Sequence, residues 1–177
     1  MNVFIAGVHG VGKTYLAKQI PESLGLFHTS ASKLIKEERA APNWSVDKRV
    51  SDVDGNQIAL TTAVKRYNDA GTRLLLDGHF VLLNSLSEFV PLNANVFQSL
   101  NLERVVLLEA APELIAERIS ERDDRNIGVA HISNFVGVER ENAMKVCDLL
   151  RIPLIVLESP SVTVFIKAVS AFNRKES

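Results

Sequence analysis

Eight residues near the N-terminus, Gly7-Val8-His9-Gly10-Val11-Gly12-Lys13-Thr14, fit the spacing G-x-x-x-x-G-K-[ST] and follow directly on the apolar run Val3-Phe4-Ile5-Ala6. A segment of this kind binds a chain of phosphates. Glycine has no Cβ, so a tight turn rich in it can aim successive backbone N–H groups inward onto phosphate oxygens. In that frame Gly7, Gly10, Val11, Gly12, Lys13, Thr14 and Tyr15 surround a nucleoside triphosphate, ATP being the expected one. Lys13 brings positive charge to the β- and γ-phosphates, and the Thr14 hydroxyl is placed to ligate Mg²⁺. The continuation Thr14-Tyr15-Leu16-Ala17-Lys18-Gln19-Ile20 reads as a helix whose N-terminus faces the phosphates.

Other candidates are found by asking what lies just past the strands, because open parallel sheets bind ligands beyond their carboxyl ends. Asp77 follows Leu74-Leu75-Leu76 directly. It is placed to help Thr14 hold Mg²⁺ through water, the alternative being a turn-forming aspartate. His79 would sit at the same mouth, where it orients a water or an acceptor oxygen, or else bonds to backbone as a loop histidine. His9 is expected to point away from the phosphates or onto an adjacent loop. Arg118, Arg122 and Arg125 recur at i, i+4 and i+7, on one face if the helix starting near Pro112 runs through them. Such a face suits a lid over a transferring phosphoryl group; the competing reading is a solvated face with Glu121 paired to Arg125. Arg140, in Val138-Glu139-Arg140-Glu141-Asn142-Ala143, reaches the same site from the other side or forms a surface ion pair.

These residues need a scaffold. Val3 to Ala6, Leu74 to Leu76, Val105 to Leu108 and Leu154 to Leu157 are uniformly apolar, as buried parallel strands are, and a short run, Leu26-Phe27-His28, follows the first helix. Helical patterns fall at about 14–24, 31–40, 56–70, 112–123, 133–150 and 160–173, the first interrupted by Pro21. Five strands interleaved with helices predict an α/β fold, a doubly wound five-stranded parallel sheet of the P-loop NTPase type. The stretch from about Glu37 to Asn56 is the least regular and reads as an excursion between strands, while Asn173 to Ser177 reads as a frayed tail.

Composition narrows the partners. The 177 residues are 46% apolar, ordinary for one globular domain, and a net charge of −1 gives no electrostatic case for nucleic acid or an anionic membrane. Small-molecule or protein partners are expected. The single cysteine, Cys147, excludes an internal disulfide and reads as a buried thiol. No run approaches the eighteen apolar residues of a membrane span. A reducing, cytoplasmic setting is the expectation.

The chain resembles the P-loop nucleoside monophosphate kinases, and among them the archaeal-type adenylate kinases and the related adenylate kinase/ATPase proteins of ribosome assembly. The resemblance runs over nearly the whole length. It rests on the P-loop, on Asp77-Gly78-His79 in the place of that group's Asp-x-His, on Val105-Val106-Leu107-Leu108-Glu109 followed by a helix and the arginine-rich segment, and on Glu139-Arg140-Glu141-Asn142-Ala143 leading into Leu154-Ile155-Val156-Leu157. It implies a single kinase domain over 1–177, with a monophosphate-binding excursion at about 30–70 and a lid at about 118–134. Leu24 to Glu37 is similar to the segment that enters the monophosphate site and typically reads Ser-Thr-Gly-Asp-Leu-Leu-Arg-Glu. Ser30 takes its serine position and Lys36 that of the substrate-binding arginine, a point charge where arginine offers a planar fork. Arg39, Lys48, Arg49 and Gln57 are implied as phosphate or base contacts. One departure stands out: bacterial adenylate kinases carry an arginine shortly after the Asp-Gly, where this chain has Phe80-Val81-Leu82-Leu83.

The implied activity is Mg²⁺-dependent transfer of the γ-phosphoryl group of ATP to a nucleoside monophosphate, AMP first. The alternatives are a kinase for another small hydroxyl or phosphate compound and an ATPase that acts as a switch or assembly factor on a protein partner. No Asn-Lys-x-Asp segment is present, which disfavours a GTPase switch.

Overall fold

Strand β1 (Asn2–Ala6) is buried at every position, as a strand must be when it has neighbours on both edges and helices on both faces. In the computed structural model, which describes residues 1–39, 53–123 and 127–170, β1 is the centre of a five-stranded sheet. The other four strands are β2 (Leu26–Ser30), β3 (Arg73–Asp77), β6 (Leu102–Glu109) and β7 (Leu154–Glu158), and the spatial order is β2-β3-β1-β6-β7. Every pairing is parallel. All five carboxyl ends therefore open on one rim.

Alternate side chains of each central strand feed two separate cores. Phe4, Leu74, Leu76, Val105 and Leu107 face one way, beneath α3 (Val53–Asp69), α4 (Ala94–Gln98) and the later turns of α6 (Val129–Leu150). Val3, Ile5, Leu75, Val106 and Leu108 face the other, beneath α1 (Lys13–Ala17), α5 (Pro112–Asp123) and α7 (Val162–Ser170). This two-sided burial is why the strand sequences carry no polar alternation. Within the first core Phe4 meets Phe80 and Phe97 edge-on, with ring centroids 5.5 and 5.6 Å away, while Phe80 and Phe97 stack at 4.3 Å. At the amino end of the sheet the fully buried Asn2 spends its amide on Asn68 Oδ1 and the Leu100 carbonyl, and its carbonyl accepts from Leu74 N–H.

The five expected sheet strands are present, as is the α/β class. Several bounds differ. The first helix, expected over about 14–24, ends at Ala17; Pro21 cannot continue it, and a 3₁₀ turn follows at Glu22–Leu24. The helix expected from about 133 begins at Val129. Two features were not anticipated: the antiparallel hairpin of β4 (Val81–Leu83) with β5 (Phe89–Pro91), and the short helix α4. Of the expected excursion, α2 (Ala31–Arg39) and α3 are described, while Lys48 and Arg49 lie outside the described residues. The same holds for Arg125 and for the tail from 171 onward.

Candidate active site

The rim opens into a cavity of about 850 Å³. Its floor is the loop between β1 and α1. Gly7 turns there with φ 133°, where a Cβ would come within 2.4 Å of the Leu108 carbonyl oxygen on the neighbouring strand; only glycine permits that approach. At Gly10 a Cβ would strike Ile119 of α5 at 2.8 Å, so the loop lies directly against that helix. Gly12, with φ 107°, makes the turn that starts α1 at Lys13.

Lys13 is buried, and its ammonium donates to the carbonyls of Gly7 and Val8. It lies 3.9 Å from a carboxylate oxygen of Asp77, the last residue of β3. Asp77 is buried too, and His28 of β2 brings its Nε2 to 3.9 Å from the other carboxylate oxygen. The hydroxyl-bearing Thr14 and Asp77 both line the cavity. These are hard oxygen donors, and Mg²⁺ takes one or two from protein while phosphate and water complete its shell. The donor set fits that ion. Among the described residues no larger cluster of His, Cys, Asp or Glu gathers as a metal site.

Of the expected site residues, Gly10, Val11, Gly12, Lys13, Thr14, Tyr15, Ser30, Gln57, Asp77, His79, Arg118 and Arg122 line this one cavity. Ser30 pairs with Asp77 across β2 and β3, and its hydroxyl accepts the Lys33 N–H, capping α2. Arg118 reaches from α5 over the loop, its Nη1 donating to the Val11 carbonyl at 3.2 Å. Arg122 is held by Asp123 at 2.7 Å and touches the ring of His9, which lines the same cavity and meets helix α5 rather than a loop, against the expectation. Arg39 donates to Asn56, which lines the cavity.

Arg39 itself is not on the cavity wall, and three further expected residues are elsewhere. Gly7 shapes the loop from behind and is not on the cavity wall. Lys36 is exposed on α2 and is not among the lining residues. Arg140 takes the second of its two expected roles, an ion pair, in place of a substrate contact. Its guanidinium forks onto both oxygens of Glu109 at the end of β6, with Nε 2.6 Å from Oε1, because a buried carboxylate there lies within reach of α6. That pairing holds the Arg140 guanidinium further into its charged form.

The cavity has two ends of different character. Near the P-loop stand Lys13, Arg118 and Arg122. The far end lies between α2, α3, α4 and the β4–β5 hairpin, and its walls are Ile35, Leu60, Leu82, Leu92, Val96 and Phe97, with Asn56 and Gln57 as polar groups. Asp77, Gly78 and His79 stand where the ends meet.

Glu139 was not anticipated. It is 1% exposed on α6, and its carboxylate accepts from Gly7 N–H at 3.2 Å, from Phe80 N–H at 3.0 Å and from Val81 N–H at 2.7 Å. Burial pushes its carboxyl up, opposed by the Phe80 N–H and the Lys13 charge. A signal was available in the sequence: Ile132, Glu139, Ala143 and Val146 all fall on the buried stripe of α6, and a carboxylate on such a stripe needs partners.

Known proteins resemble this chain in sequence and in fold. The family model described as "AAA domain" matches residues 6–133. A protein of Thermococcus onnurineus named "Putative adenylate kinase" is 33% identical over 125 residues, 69% of this chain and 56% of that protein. An "Adenylate kinase" of Kosmotoga olearia is 26% identical over 130 residues, covering 69% and 59%. The chain thus spans little more than half the length of these curated relatives. Among solved structures, a gluconokinase from Sinorhizobium meliloti superposes with a TM-score of 0.54 at 13% identity, over 95% of this chain and 88% of that one. A shikimate kinase from Acinetobacter baumannii gives 0.53 at 18%, over 95% and 92%. These two likenesses concern the fold alone. Among the described residues no helix is long and apolar enough to cross a membrane. By the match over residues 6–133, which takes in the P-loop, the chain belongs to the AAA domain family.

Proposed function

We propose that the chain is an ATP-dependent phosphotransferase that moves the γ-phosphoryl group to a nucleoside monophosphate, AMP first. The observation that carries this reading is the two-ended cavity. Phosphates collect where Lys13, Arg118 and Arg122 stand, and the far end offers apolar walls with Asn56 and Gln57. A purine base suits that end. A sugar acid would bring its own carboxylate there, and among the described lining residues the far end has no cation to meet it.

The reaction asks for placement and charge compensation more than for covalent help. In this reading Lys13 and the loop amides hold the donor phosphates. Arg118 and Arg122 offset the charge that develops on the transferring group as the acceptor oxygen approaches phosphorus and the bond to the β-phosphate oxygen lengthens. Thr14 and Asp77 would hold Mg²⁺, which supplies further charge neutralisation and orientation of the phosphates. His79, 13% exposed by side chain at the junction, orients the incoming oxygen. That position also favours the second reading: if the oxygen belongs to water, the chain is an ATPase that works on a protein partner.

Ion-exchange analysis of products after incubation with Mg²⁺-ATP and each of AMP, CMP, GMP and UMP separates the two. ADP formed equally from ATP and AMP is the expected result. ADP with matching free phosphate, indifferent to every monophosphate, overturns the transfer reading in favour of hydrolysis.

A further inference from the structure

We infer that Glu139 is a positioning residue of this site: a buried carboxylate that locks the first amide of the P-loop to the segment carrying Asp77 and His79. The inference rests on the phosphotransfer reading above. Gly7 opens the loop that holds Lys13, and Phe80 and Val81 follow Asp77-Gly78-His79; the two segments lie far apart in sequence. Glu139 binds N–H groups of both, at 3.2, 3.0 and 2.7 Å, and approaches His79 Nδ1 at 4.0 Å.

The chemistry is specific to a carboxylate. Two acceptor-only oxygens match three N–H donors from different directions, whereas a carboxamide of the same shape turns an NH₂ against one of them. Its negative charge also stands, with Asp77, against the buried ammonium of Lys13, whose field acts on Glu139. Asn142, one turn further along α6, provides an internal contrast. Its Nδ2 binds the carbonyls of Phe80 at 2.8 Å and Leu92 at 3.0 Å. Asn142 thus secures the hairpin alone, while Glu139 joins the hairpin to the P-loop. Transfer over a near-contact distance depends on that relative placement.

The test compares wild type with Glu139→Gln, Glu139→Asp and Asn142→Ala in ATP turnover with and without AMP, nucleotide binding and melting temperature. Glu139→Gln is expected to lower kcat about 10- to 100-fold, the scale of an ångström misplacement. Its ATP affinity stays within about threefold, and Asn142→Ala loses melting temperature while keeping kcat within about threefold. A folded Glu139→Gln protein with kcat within about twofold of wild type, or kcat losses that track melting temperature alike in both variants, overturns the inference. If the glutamine variant does not fold, Glu139→Asp carries the same comparison, since it keeps the charge and shortens the reach. A wild type that releases phosphate without phosphorylating any acceptor sinks the acceptor assignment and leaves the Glu139 comparison standing on hydrolysis. Should wild type turn over no ATP at all, amide hydrogen exchange decides: Gly7 and Phe80 lose protection together in Glu139→Gln, and an unchanged Gly7 overturns the lock.

Discussion

Lys13 illustrates how much of this site is settled by single side chains. Its ammonium is buried between two loop carbonyls and Asp77, a placement tolerable only where anions are close at hand. Lys13→Ala is expected to reduce turnover by at least about 100-fold, the usual effect of removing one preorganised donor, with an unchanged circular dichroism spectrum; retained activity would remove the P-loop from the mechanism. Cys147 behaves in the opposite way, as an inert group. Burial pushes its thiol up to about 12, so the folded state favours the protonated form. Because that value lies above the unfolded one, its share of stability is complete below the unfolded value of about 8.5 and is lost as pH rises towards the folded one. A disulfide reagent should therefore label Cys147 only on unfolding, and Cys147→Ala should flatten the alkaline fall of melting temperature relative to wild type.

Elements explain what could and could not be read in advance. Val105 to Leu108 and Leu74 to Leu76 were legible because strands covered on both faces are apolar throughout. The β4–β5 hairpin was not, since three-residue strands leave no period to recognise, and Phe80-Val81-Leu82-Leu83 reads equally as core. Glu139 and Arg140 are adjacent yet opposite in fate: helical geometry turns one into the core and the other to Glu109. In a single sequence the pair looks like an ordinary charged run. Arg140→Ala should leave Glu109 buried without its fork, a cost of about 1–3 kcal/mol, or about 2–4 °C of melting temperature per kcal/mol at this size. Acceptor KM should not change. A raised KM with unchanged melting temperature would return Arg140 to the binding site. Gly78→Ala tests the junction itself, because its Cβ would meet the Phe4 ring at 2.6 Å. Phe4 is locked by Phe80 and Phe97, so the loop must give way, and both stability and turnover should fall.

At the scale of the whole molecule, the central place of β1 has a consequence for assembly. Its partners are Leu75 to Asp77 on one side and Leu102 to Leu107 on the other, so β1 is made well before both of the strands it must pair with. Until β6 has been made, the P-loop lacks the Leu108 carbonyl and the α5 side chains against which Gly7 and Gly10 pack. A fragment ending at Leu100 should show no cooperative melt, and refolding of the full chain should be slow for its size, since its central pairings all close long loops. The nucleotide cradle thus acquires its shape only after β6 and α5, well downstream of the P-loop, have been made, which spares the nascent chain a premature hold on nucleotide.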